Sequence, residues 1–197
     1  MLTHYYHECD RPFQTLAAVS DNKALNIIDS LKKRTGAVYR RFNHPVEYLS
    51  RRRETEGWIR DEFIKKGGKP TTKFPQYFVV DFSTWIEEGY NGQSRAIRIP
   101  ISAFDPDRVS FTYPDSMISY WLNSQTERDF YHSEYHGRVF SSIEIQSIID
   151  RFGIPQREWE TDPLKKYDLF IEAQVWESIP DWSEDDILEF FLFHSLP

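Results

Sequence analysis

The chain has 197 residues, a formal net charge of −7, 40% hydrophobic residues and 16% aromatic ones. Such a length suits one domain with a real core, and such a composition excludes a disordered chain. The acidic balance argues against general adhesion to nucleic acid, and no apolar run reaches the roughly 20 residues that span a bilayer.

The N-terminus lacks a basic stretch followed by an apolar one, so no signal peptide is expected. Cys9 is the single cysteine, which leaves neither an internal disulfide nor a cysteine metal cluster. A reduced, cytoplasmic setting is the resulting expectation. Charge is uneven along the chain: basic residues gather between Lys32 and Arg60, and acids dominate from Glu158 to Glu189.

In chain order, "LTHYYH" reads as a half-buried strand. "PFQTLAAV" has the look of a helix with an early proline, and Ser20, Asp21 and Asn22 are set to cap a second one that turns Leu25, Ile28 and Leu31 inward and ends near Gly36. The clearest helix starts at Pro45 and stops at Gly67–Gly68, with Thr55, Ile59 and Phe63 repeating every fourth residue. At about 100° per residue Arg51, Arg52 and Arg53 cannot share a face, so at least one of them meets solvent.

"QYFVVDF" and "AIRIPI" are strands, and "EEGYNGQ" between them reads as a turn-rich loop. "RVSFTY" is a further strand halted by Pro114 and Asp115. Ser141 and Glu144 have capping-box spacing at the head of a helix that runs through Ile145, Ile148, Ile149 and Phe152 to Gly153. "DLFIEAQVW" is a strand. From Ser183 onward the pattern fits a helix or a strand. No repeat, low-complexity tract or linker divides the chain, and the expectation is a single α+β domain over residues 1–197, with mostly antiparallel β-sheet and flanking helices.

Alternation in "DLFIEAQVW" gives Leu169, Ile171, Ala173 and Val175 to the core and Phe170, Glu172, Gln174 and Trp176 to the other face. Glu172 is then either a carboxylate beside a cleft, suited to electrostatic or base work, or a polar residue on a sheet surface; strand statistics favour the second. His4 is either a ligand-binding group or a histidine satisfying a backbone carbonyl, and the latter is the commoner case. His132 and His136 are four apart but lack a convincing third metal ligand. Nucleotide-loop, zincin and serine-hydrolase motifs are absent.

Three segments carry a resemblance. "LTHYY" resembles the opening of ADP-ribosyltransferases that place a histidine in the first strand. "RVSFTYPDSM" resembles a central segment of the DarT group of DNA-modifying toxins within that superfamily. "FIEAQVWESIP" is similar to that group's late strand, whose glutamate is catalytic. Departures are Thr112 in place of an aromatic residue and Asp115 in place of a basic one, while Arg41, Arg51, Arg52 and Arg53 all compete for the role of a cofactor-binding arginine.

The resemblance implies an ADP-ribosyltransferase-like fold that consumes NAD as a substrate and needs no metal. It implies catalysis by Glu172, His4 and Tyr113, and NAD contacts from His4, Phe111, Ser116, Arg51 and Arg52. Phe111 or Tyr113 would stack on nicotinamide, and His4 would bind a ribose hydroxyl. The acceptor would be a protein or nucleic acid, or water in simple NAD hydrolysis. A second reading is a non-catalytic interaction module on the same scaffold, binding a basic protein partner through acidic and aromatic surface. A third is a small nucleic-acid enzyme or binder using Arg51 to Arg53. No membrane partner is expected.

Overall fold

Short runs of β-branched and aromatic residues, each stopped by turn chemistry, supply the strands. They are β1 (Leu2–His7), β2 (Gln76–Val80), β3 (Ser94–Ile99), β4 (Val109–Thr112), β5 (Val139–Phe140) and β6 (Glu172–Val175). The structure is a computed structural model and describes residues 1–179. The segment from Ser183, whose class the sequence left open, and the end of the expected 1–197 domain lie outside the described residues.

The six strands form one sheet in the order β3-β1-β2-β6-β4-β5, and each neighbouring pair is antiparallel. Among the described residues five α-helices flank it: α1 (Asp21–Leu31), α2 (Pro45–Lys65), α3 (Thr84–Gly89), α4 (Ser116–Leu122) and α5 (Ser142–Phe152). The described residues are therefore one α+β domain.

Register sorts the side chains into rows. Phe78, Ala173, Phe111 and Phe140 stand opposite one another across β2, β6, β4 and β5. That row belongs to the main core, which Ile145, Ile148, Ile149 and Phe152 of α5 close from one side. The adjacent row, Thr3, Val79, Glu172 and Thr112, points to the opposite face. On that face α2 packs Ile59 and Phe63 against Val139 and Trp176. Thr55 and Glu56 also lie on the buried side of α2, so its apolar stripe is interrupted by a carboxylate.

β1 and β2 pair only through Leu2–Val80 and Thr3–Val79, after which β1 continues with β3 alone. His4 enters the resulting split. Its Nδ1 lies 2.8 Å from the carbonyl oxygen of Tyr77, and its Nε2 accepts the Phe13 N–H at 3.0 Å.

That second bond explains why "PFQTLAAV" is not the expected helix. Phe13 adopts φ 56° and spends its N–H on His4, leaving one turn of 3₁₀ helix at Leu16–Ala18. The loop expected at "EEGYNGQ" begins as the last turn of α3, because Ser83 Oγ accepts from the Ile86 N–H at 3.3 Å and caps a helix there. Pro114 does end β4, but Asp115 starts α4 at once by accepting the N–H groups of Met117 and Ile118. Gly36 has φ 129°, and a Cβ on it would collide with the carbonyl oxygen of Gly89, so the α1–α2 connection tolerates only glycine there.

Candidate active site

A line of hydrogen bonds crosses the polar face. Trp176 Nε1 donates to Ser110 Oγ at 2.8 Å, and Ser110 Oγ donates to Gln174 Oε1 at 2.8 Å. Gln174 Nε2 in turn donates to Thr112 Oγ1 at 3.1 Å and to Glu172 Oε2 at 3.3 Å. Oε2 also accepts the main-chain N–H of Ser116 at 2.9 Å, from the first turn of α4. The Glu172 carboxylate is thus pinned by one oxygen, on a strand paired on both sides with β2 and β4. Among the described residues Oε1 accepts no hydrogen bond, although Glu172 is only 8% exposed.

Arg52 reaches the same region from α2. Its Nε bonds Glu56 Oε1 at 3.0 Å, its guanidinium sits 3.7 Å from the centroid of the Tyr77 ring, and its side chain is 12% exposed. The Tyr77 hydroxyl donates to the same Glu56 oxygen at 2.8 Å. Burial disfavours the Arg52 charge, but Tyr77, Tyr48, Glu56 and Glu172 outweigh it and hold the guanidinium protonated.

Asp115, half-buried at the cap of α4, has its carboxyl pushed up to about 6. Burial is the main cause and the Glu172 charge the next, against the opposing pull of the Ile118 N–H, Arg41 and Arg52. Burial raises the Glu56 carboxyl as well, with Arg52 and the Tyr77 hydroxyl opposing and Glu172 adding to the rise. The Tyr77 phenol is held well above its ordinary value by burial. The Glu172 charge therefore acts on both the Asp115 and the Glu56 carboxyl, and Arg52 opposes it at each.

A separate cleft of about 510 Å³ has a wall that includes His4, Tyr39, Arg41, Phe42 and Tyr90 and none of the cluster's own residues. Arg41 links the two regions, since it lines the cleft and its charge acts on Asp115.

Several sequence-derived roles need correction. β2 stands between β1 and β6, so the strands that carry His4 and Glu172 are not neighbours. Strand alternation turns His4 to the face of Phe78, opposite Glu172, and its ring stacks on Phe13 at 4.5 Å. With one nitrogen donating to a carbonyl and the other accepting an N–H, His4 has neither left for a ribose hydroxyl. Burial lowers its pKa to about 4, so it is neutral at physiological pH.

Phe111 is fully buried in the core row and cannot stack on a ligand. Tyr113 is 2% exposed, stacked on Tyr135 with ring centroids 4.4 Å apart, and likewise belongs to the core. Both reversals follow from the β4 alternation: Phe111 lies within the strand, and Tyr113, two residues on and just before Pro114, keeps to the same buried side. Ser116 contributes its backbone N–H to Glu172, while its Oγ is buried without a partner. Arg51 is 65% exposed and pairs with Glu47, and Arg53 pairs with Asp21. Of the three consecutive arginines, Arg52 is the one whose charge is coupled to Glu172.

Glu56, Tyr77 and Asp115 were not singled out as site residues by sequence reasoning. The available signal was a carboxylate on the apolar stripe of α2, at position 56 between Thr55 and Ile59. His132 and His136 serve structure: His136 Nδ1 accepts the His132 N–H, so Nε2 carries the proton to Asp168, 2.8 Å away and buried. Among the described residues no group of three or more His, Cys, Asp or Glu side chains is placed to hold a metal. No described helix is long and apolar enough to cross a membrane. No family model, curated protein or solved structure matches this chain.

Proposed function

We propose that the chain is an NAD-consuming ADP-ribosyltransferase or NAD glycohydrolase whose reaction centre is Glu172 with Arg52 and Asp115. The observation that carries this reading is the state of Glu172: one carboxylate oxygen fixed by two N–H donors, the other uncommitted, inside a buried cluster richer in acids than in bases. The resemblance of the first-strand, central and late-strand segments to ADP-ribosyltransferases supports it.

The chemistry asks for such a site. Nicotinamide in NAD is a cationic ring, and heterolysis of its bond to ribose C1′ sends the electron pair to the ring and leaves positive charge on C1′. A preorganised carboxylate facing that carbon lowers the barrier electrostatically, as in glycoside cleavage. The acceptor, a protein or nucleic-acid nucleophile or water, then bonds to C1′ and gives up a proton. Asp115, with its raised pKa, is the suited receiver. Partly exposed Tyr90 in the cleft lined by Arg41 supplies a flat apolar wall for the dinucleotide, and Arg41 a cation for its phosphates.

A second reading drops the chemistry and retains the scaffold as a binding module for a basic protein. It is favoured by the structural use of His4, Phe111 and Tyr113. Incubation with NAD and chromatographic measurement of nicotinamide separates the two. The enzyme reading expects release by the native protein and a loss of at least about a hundredfold in Glu172→Gln, with an unchanged circular dichroism spectrum. A native protein that neither binds NAD nor liberates nicotinamide overturns it.

A further inference from the structure

A cavity of about 750 Å³ opens between α2, the turn at residues 17–20 and the segment at residues 73–74. Its wall carries Arg53, Arg60 and Lys73 against one carboxylate, Glu56. Arg53 is committed to Asp21 at 2.6 Å. Arg60 is not committed: its Nε is buried and has no hydrogen-bond partner. Lys73 makes no ion pair among the described residues and holds its Nζ 5.1 Å from the centroid of the Phe74 ring.

Glu56 has two different oxygens. Oε1 is shared by Arg52 and Tyr77, and Oε2 is buried with no partner. A donor and an acceptor one helical turn apart, both dehydrated and not bonded to each other, are each costly to the fold. A guest that offers an acceptor to Arg60 and a donor to Glu56 removes both costs. The cavity is of ligand size, within the usual range of roughly 300–1,000 Å³. Cations without counter-ions select the acceptor as anionic, and Glu56 selects a hydroxyl as the donor.

We propose that this cavity binds a small phosphate ester carrying free hydroxyls, a sugar phosphate or a nucleoside monophosphate. Its phosphate lies on Arg60 and Lys73, with Arg53 beside them, and a hydroxyl donates to Glu56 Oε2. The assignment depends on Arg60 and Glu56 and not on the NAD reading, because nicotinamide release plays no part in its test.

Titration calorimetry of the full chain with inorganic phosphate, ribose 5-phosphate and AMP provides that test. Ribose 5-phosphate or AMP is expected to bind at least about tenfold more tightly than inorganic phosphate, and Arg60→Gln and Lys73→Ala each to weaken the ester by about tenfold. Tighter binding of AMP than of ribose 5-phosphate assigns the cavity to nucleotides, and the reverse to sugar phosphates. Lys73 is exposed, so its removal leaves the fold intact. The proposal is overturned if no probe gives saturable heat up to about 10 mM, if both variants bind like the native chain, or if inorganic phosphate matches the esters.

Discussion

His4 shows how one side chain can look functional and act structurally. Its two nitrogens close the split between β1 and β2 and fasten the loop through Phe13, which requires the neutral ring. The folded pKa of about 4 lies below the ordinary 6.5, so the stabilisation is complete above pH 6.5 and is lost as pH falls from there toward 4. A shift of that size corresponds to about 3 kcal/mol. Asp115 works in the opposite sense: its raised pKa makes the fold gain stability as pH falls through about 6. Urea unfolding of the native chain and of His4→Gln between pH 4 and pH 7 isolates the histidine, and the variant is expected to show a flatter acid-side loss. Equal slopes would remove His4 from this role. At the same scale, the orientation of Glu172 was legible in the alternation of "DLFIEAQVW". The choice of Arg52 among three adjacent arginines was not, because helix periodicity separates their directions without saying which one meets the sheet.

At the scale of elements, the cap written into the chain was legible at α5, whereas Ser20, at the N-cap of α1, makes no side-chain capping bond. α5 has the reciprocal box expected from Ser141 and Glu144: Glu144 Oε2 accepts the Ser141 N–H at 2.8 Å, and Ser141 Oγ accepts the Glu144 N–H at 3.4 Å. Glu144 also ties α5 to Lys66, the C-cap of α2, at 2.6 Å. Ser141→Ala is expected to cost about 1 kcal/mol, read as a lower urea midpoint at constant slope. α4 was missed because Pro114 and Asp115 read equally well as the end of a strand and as the start of a helix. Its first N–H groups go to Asp115 and Glu172, so a strand residue 56 positions away completes its cap. β5, only two residues long, is defined by pairing with Phe111 and Thr112 and has no pattern of its own.

For the whole molecule, the row Phe78, Ala173, Phe111 and Phe140 holds four strands to a common core. Phe111→Ala removes a fully buried ring from the middle of that row and is expected to cost about 3–5 kcal/mol, measurable as a large drop in the denaturant midpoint. A ligand-contact role would instead leave stability nearly unchanged. The chain by itself determined the α+β class, most of the strands, the long helix α2 and the two faces of β6, since hydrophobic period and capping chemistry are local. Only the tertiary structure decided that β2 separates β1 from β6, that His4 and Glu172 face opposite ways, and that Arg52, Glu56, Tyr77 and Asp115 come under the influence of the glutamate's charge. Strand order and the meeting of distant charges depend on how faces are buried against one another, and one-dimensional spacing carries no record of that.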